Sequence, residues 1–451
     1  MSAAHMGRQM SRAAGAIAAL FLVALFIAPP ASAAVKIERV ISPGGITAWL
    51  VRDKLNPIIS MTVLVRHAGS ARDPRGKEGL ARFTAGLLDE GAGKLGSLAF
   101  QRKLEDLSIS LGFSARTDHL TITLRSLRRN REEAFGLLRM ALTRPRFDDE
   151  PVTRVRAQIF TKLSRMASNP NSIASKRWWR TAFPGHDYGR PSDGTKKSVT
   201  AITKADMRAY VKNRIARGAL VIGVTGDVSA QELKALLDKT FSGLSKKPAP
   251  APSAWFWPVT KGGVTVLRRP FPQSRILFGQ RGLRRKDKDY YAAVVMNHIL
   301  GAGSFSSRLY TEVREKRGLA YSIGSFLLPM NRSALIMGSV ATRNSKAKET
   351  IAQIRSQWKL MAEKGVSEQE LKEAKLFLTG SYPLRFTGTA RIAGMLAWLQ
   401  MLDLGIDYFE RRNGIIEKVS RQDIQRAAKR LLKVDSLFFM VVGNPAGLGK
   451  G

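Results

Sequence analysis

Lys246-Lys247-Pro248-Ala249-Pro250-Ala251-Pro252-Ser253-Ala254-Trp255-Phe256-Trp257-Pro258 is the stretch that decides how this chain of 451 residues is organised. Proline at this density removes backbone donors and fixes φ, so neither a helix nor a central strand passes through it, and it reads as an extended linker. The boundaries that follow are a first unit over residues 34–245, a linker over 246–260 and a second unit over 261–451.

Read outward from the linker, the two units repeat one order of elements. The first opens with strand-like 58–66, then helical patterns at 79–90 and 98–111, strand-like 120–124, and helices near 131–143 and 150–166. The second opens with strand-like 274–280, then helices at 290–300 and 306–316, strands at 320–328 and 333–341, and helices at 346–363 and 368–380. Each unit closes on a helix, then an apolar strand, then Gly226-Asp227 or Gly443-Asn444. Order kept over nearly the full length indicates duplication. Paired strands mixed with long helices make each half an α/β sandwich, of α+β class.

Arg8 and Arg12 precede an apolar run from Ala16 to Ala28, which Pro29-Pro30 break before the small-x-small signal Ala31-Ser32-Ala33. This is the layout of a secretory signal peptide over residues 1–33, which implies export across the inner membrane into the periplasm. The alternative for the same run is an uncleaved N-terminal anchor. The run is short for a bilayer-spanning helix, which needs roughly 20 apolar residues, and no comparable run follows, so no membrane span is expected in the mature chain.

The chain has no cysteine, which excludes disulfides, thiolate metal sites and a cysteine nucleophile. A formal net charge of +39 is compatible with nucleic acid, anionic membrane or acidic partners. The basic residues are spread through every segment, however, with no arginine-rich arm, zinc finger or aromatic–basic alternation. They read as a cationic globular surface, and nucleic-acid binding is not expected.

Two short segments carry the chemistry. The first is Gly79-Leu80-Ala81-Arg82-Phe83-Thr84-Ala85-Gly86. Taken alone, Leu80, Phe83, Leu87 and Leu88 form an apolar helix stripe closed by Gly91. The second runs from Leu300-Gly301-Ala302-Gly303-Ser304-Phe305-Ser306-Ser307-Arg308-Leu309 into Val313-Arg314-Glu315-Lys316-Arg317-Gly318-Leu319-Ala320-Tyr321. Here the plain reading is an arginine capping a helix end and a tyrosine packed in a strand.

Together these segments resemble the pitrilysin (insulinase) metallopeptidase family, and the resemblance covers essentially residues 35–448. It implies two homologous α/β halves closed as a clamshell. Active members carry Gly-Leu-Ala-His-x-x-Glu-His at the first segment, two histidines on one helix face holding zinc and a glutamate as general base. By position, Arg82 stands for the first histidine, Ala85 for the base and Gly86 for the second histidine. Counting back from Asn169-Pro170 puts Lys162 at the third ligand. All four depart from the family pattern and two are cations, so this chain is expected to bind no metal cofactor. His5, His67, His119, His186 and His298 are scattered without ligand spacing.

The second segment matches the family's Leu-Arg-Glu-x-x-Gly-Leu-Ala-Tyr. The resemblance assigns Arg314 to holding substrate backbone and Tyr321 to stabilising the oxyanion. In heterodimeric relatives one subunit carries zinc, and composite bacterial sites draw the arginine–tyrosine pair from the other. The expectation is therefore a subunit inactive alone, partnered by a homologous zinc-bearing subunit and binding peptide substrates. The alternative is a peptide-binding or scaffold protein with no peptidase role. A further expectation is that Arg82 and Lys162, on facing helices, bind a carboxylate: a substrate C-terminus or a neighbouring acid, with Asp89 and Glu90 as candidates.

Overall fold

The computed structural model describes residues 36–247 and 254–449, so the expected signal peptide and the proline-richest part of the linker lie outside the described residues. The first half contributes β1 (Ile37–Ile41), β2 (Thr47–Arg52), β3 (Ile58–Arg66), the short ribbon β4 (Gly91–Ala92) and β5 (Leu95–Gly96), then β6 (Ser110–Ala115), β7 (His119–Leu127) and β8 (Leu220–Gly226). The second contributes β9 (Val264–Arg268), β10 (Gln273–Arg281), β11 (Ala320–Pro329), β12 (Ala334–Arg343) and β13 (Phe438–Gly443).

The large sheets have the orders β1-β2-β8-β3-β7-β6 and β11-β12-β10-β13-β9. In both, the last strand of the half lies parallel to its first-laid neighbour (β2 with β8, β9 with β13) and antiparallel to the next (β3 with β8, β10 with β13). Removing β1 makes the two topologies the same, which is the duplication in structural form. It extends to the helix caps. Thr203 and Asp206 close a reciprocal capping box at the helix Lys204–Arg214, and Ser420 and Asp423 do so at Arg421–Leu431.

Central strands β3, β8 and β13 are buried along nearly their whole length, so their sheets are covered on both faces. One face of each sheet packs on helices of its own half. The other face takes a helix from the opposite half. Thr389–Met401 lies on β3 and β8, and Pro170–Ala182 lies on β10 and β13. Gly223 in β8 shows how close the first approach is: a Cβ there would lie 2.1 Å from the Ala393 carbonyl oxygen and 2.7 Å from the Ala397 nitrogen. In the second, Trp178 is fully buried against Phe438, and Asn169 caps the helix by accepting from the Ser172 N–H, with Pro170 at its first position.

Polar bonds reinforce the exchange. Ser60 and Thr389 hydroxyls meet at 2.8 Å, Arg66 donates to the Gln400 and Met401 carbonyls, and Tyr188 bridges Asp118 and the Arg332 N–H. The described end of the linker is not free chain either. The Phe256 N–H donates to the Arg332 carbonyl while its ring stacks on His186. Trp255, Phe256 and Trp257 carry more apolar surface than a solvated linker leaves exposed, and the linker docks accordingly.

Two expected helices end early. The pattern at 79–90 forms a helix only over Leu80–Ala85, because Gly86 ends it; its N–H still reaches the Arg82 carbonyl, and Gly91 belongs to β4. The pattern at 98–111 forms the helix Ser97–Asp106, after which Ser108 turns the chain at positive φ and Ser110 starts β6. Leu111 fits an apolar helix stripe equally well, and only its pairing with Leu124 of β7 decides its state. Among the described residues no helix is long and apolar enough to cross a membrane.

Candidate functional site

The helix Leu80–Ala85 is positioned by a residue outside it. The buried Asp73 carboxylate accepts from the Gly79 N–H at 2.9 Å and the Ala81 N–H at 3.0 Å, satisfying two free amides of the first turn. Burial pushes Asp73 up to about 7, against the pull of these amides and of Arg214 and Arg190. With Leu80, Ala81, Phe83 and Ala85 buried, Arg82 is left on the outward side, facing the long helix Asp149–Ser168 that carries Lys162.

Arg82 and Lys162 do converge, and a carboxylate lies between them. Arg82 Nη1 is 2.5 Å and Lys162 Nζ 2.6 Å from the same oxygen of Asp193. The acid is therefore neither of the two expected. Glu90 is taken by Arg154 and the Ser97 hydroxyl, and the side chain of Asp89 is paired with neither cation. Asp193 sits in the loop before Gly194, far along the chain from Arg82, and no spacing rule announces it. Burial opposes ionisation of Asp193, but the Lys162 hydrogen bond and the Arg82 charge outweigh it and hold the carboxyl below its usual range.

These residues do not fit a zinc ion. Ala85 is buried and Gly86 has no side chain, so neither offers a donor atom, and the two remaining positions are cations already paired with Asp193. Among the described residues no group of three or more histidine, aspartate or glutamate side chains is placed to hold a metal ion. Both cations that resemblance put at ligand positions act as halves of an ion-pair triad.

The second cluster is built by a turn. After the helical segment Thr311–Glu315, Gly318 takes φ +57° and its N–H donates to the Arg314 carbonyl, while the Leu319 N–H reaches the Val313 carbonyl. This paired closure reverses the chain into β11 and needs the left-handed conformation that glycine adopts without strain. It brings Arg314 beside Tyr321: the guanidinium carbon lies 4.6 Å from the Tyr321 ring centre and 4.9 Å from that of Tyr310. Arg314 Nη1 also donates to the Tyr310 hydroxyl.

Tyr310 was not singled out from sequence, although its position one helical turn before Arg314 is a pairing signal. Arg314 is thus half-buried between two tyrosine rings, whereas Tyr321 is 82% exposed on the outermost strand of its sheet. No hydrogen bond, ion pair or ring contact among the described residues joins this cluster to Arg82, Lys162 and Asp193.

Residues 50–196 match the pattern described as insulinase (peptidase family M16), and residues 201–378 match the one described as peptidase M16 inactive domain. The non-peptidase homolog YmxG of Helicobacter pylori is 28% identical over 393 residues, 86% of this chain and 90% of that protein. An uncharacterized zinc protease of Streptomyces coelicolor is 26% identical over 408 residues, 88% of this chain and 87% of its own. The crystal structure of a peptidase M16 inactive domain from Pseudomonas fluorescens superposes with a TM-score of 0.85 at 28% identity, covering 91% of this chain and 98% of that one. With its duplicated α+β halves and an ion-pair triad where the zinc motif would stand, the chain belongs to the insulinase (M16) peptidase family, as an inactive homologue.

Proposed function

We propose that this chain is the zinc-free subunit of a periplasmic heterodimeric zinc endopeptidase, and that its second half completes a site whose metal belongs to a homologous partner. The observation that carries this reading is the pairing of Arg314 with Tyr321. An arginine held between rings, beside a tyrosine 82% exposed on an edge strand, leaves a phenol hydroxyl free to reach another molecule. The Tyr321 hydroxyl would donate to the oxyanion formed from a peptide carbonyl, and the N–H edges of Arg314 that Tyr310 does not use would hold substrate backbone. The outer edge of β11 offers unpaired backbone groups to which an extended peptide adds as a strand.

The test is peptide hydrolysis by the mature chain, by its zinc-bearing homologue, and by the two mixed. Cleavage confined to the mixture and reduced about 10²–10³-fold by Tyr321→Phe is the expected result. A mixture no faster than the zinc-bearing protein alone refutes the reading. One observation favours the scaffold alternative. Arg314 is already engaged by the Tyr310 hydroxyl and both rings, which is what a purely structural arginine would show. Full activity of the mixture carrying Tyr321→Phe would select it.

A further inference from the structure

At the end of β10 the second half holds a cationic cavity that the peptidase reading does not use. Its volume is about 620 Å³, within the range of small-ligand pockets. Two arginines on its wall are fixed by the docked linker. The Arg281 guanidinium lies 3.4 Å from the Trp257 ring centre, and that of Arg284 lies 4.0 Å from Trp255 and 5.4 Å from Trp257. Stacking occupies the guanidinium faces and leaves their N–H edges to bind something else.

A third arginine, Arg430, stands in the same cavity and is held by Asp287 through two bonds of 2.8 and 2.7 Å. That consumes the one carboxylate of the lining. Arg281 and Arg284 have no acidic partner among the described residues. The stretches outside the description (1–35, 248–253 and 450–451) contain no aspartate or glutamate, so they add no acidic side chain that could neutralise the two. Burial and the neighbouring charges of Arg284 and Arg430 lower the Arg281 pKa, the mark of cations crowded without a counter-charge.

We infer that this cavity binds a small multivalent oxyanion, carrying phosphate or carboxylate groups, gripped by Arg281 and Arg284 as forks pre-set on Trp257 and Trp255. Arginine forks match both groups bidentately, and side chains already fixed by stacking lose little entropy on binding. The site is built by the second half and the docked linker, and it does not depend on the peptidase reading.

The test titrates inorganic pyrophosphate, and separately citrate, into the mature chain by calorimetry. Three variants accompany it: Arg281→Ala/Arg284→Ala, Arg281→Lys/Arg284→Lys, and a first-half control, Lys54→Ala/Lys94→Ala, removing the same charge. The expected result is binding weakened at least tenfold by the alanine pair and severalfold by the lysine pair, which keeps the charge but loses the fork, with the control unchanged. Pyrophosphate without citrate would make the ligand a phosphate compound, and both would make it a general oxyanion. Absence of binding at millimolar concentration overturns the inference. So does equal weakening by the control, or a lysine pair as tight as the parent, because charge alone would then explain the result. Unchanged melting of each variant without ligand establishes that folding is intact.

Discussion

Asp193→Asn keeps the shape of the side chain and removes its charge, leaving Arg82 and Lys162 facing each other. Both nitrogens approach the same oxygen, at 2.5 and 2.6 Å, so they stand no more than about 5 Å apart. Asp193 is 14% exposed and Arg82 29%, so loss of that bond falls in the range of about 1.5–3 kcal/mol for hydrogen bonds to charged groups. Lys162 is half exposed, and its share is that of a surface pair, about 0.2–1 kcal/mol. Repulsion between the bare cations adds up to about 1 kcal/mol once solvent at Lys162 screens it.

The expected destabilisation by Asp193→Asn is therefore about 2–5 kcal/mol, read by denaturant unfolding at low ionic strength. A double-mutant cycle makes the assignment specific. In the asparagine background Arg82→Met should recover stability, because it removes the orphaned cation, whereas in the parent it should cost stability. A parent-like Asp193→Asn, or additive effects of the two substitutions, would refute the view that the triad stands in for the lost metal site.

The helix exchange gives two further predictions. Gly223→Ala drives a methyl into the Ala393 carbonyl, and since backbone cannot yield cheaply it should cost about 1–3 kcal/mol or more and raise hydrogen exchange along both β8 and 389–401. Trp178→Ala empties the fully buried contact of the other exchanged helix and should cost about 3–5 kcal/mol by equilibrium unfolding; a loss below 1 kcal/mol would contradict that packing. His119, buried edge-on to Trp398 across the halves, is pushed down to about 4 by burial and by Arg116. Its folded form resists the proton that the unfolded chain accepts, so its contribution is complete above the unfolded value near 6.5 and is lost as pH falls towards 4. At most about 3 kcal/mol is involved. His119→Gln should flatten the stability profile across that window, and an unaltered profile would remove His119 as its source.

Much of this protein is legible in one dimension because it was made twice. Apolar strand runs such as 58–66 and 274–280 are local signals, set by period, and with the closing Gly226-Asp227 and Gly443-Asn444 they place the elements and the duplication. Gly318 is equally local: its left-handed turn brings Arg314 to Tyr321 with no help from distant chain. The departures at Arg82, Ala85, Gly86 and Lys162 are visible as residue types: two have no donor atom and two are cations, and neither kind suits a zinc ligand in any fold.

What replaces the metal is not local. Asp193 reaches Arg82 only because the loop before Gly194 is folded over the helix Leu80–Ala85, where Ser198 also bonds the Glu78 carbonyl. Likewise Trp257 meets Arg281 only where the linker docks, and the helix 389–401 seals the first sheet because each half leaves one sheet face open. Burying that face requires surface from the other half. Sequence by itself determined two repeats, their strands and a zinc motif emptied of ligands. Tertiary packing alone decided that the repeats exchange helices, that a carboxylate joins the two stranded cations, and that a linker tryptophan turns scattered arginines into a cavity. These last are contacts between residues far apart in the chain, and pairing at that range is set by which surfaces remain unburied, a property no local pattern encodes.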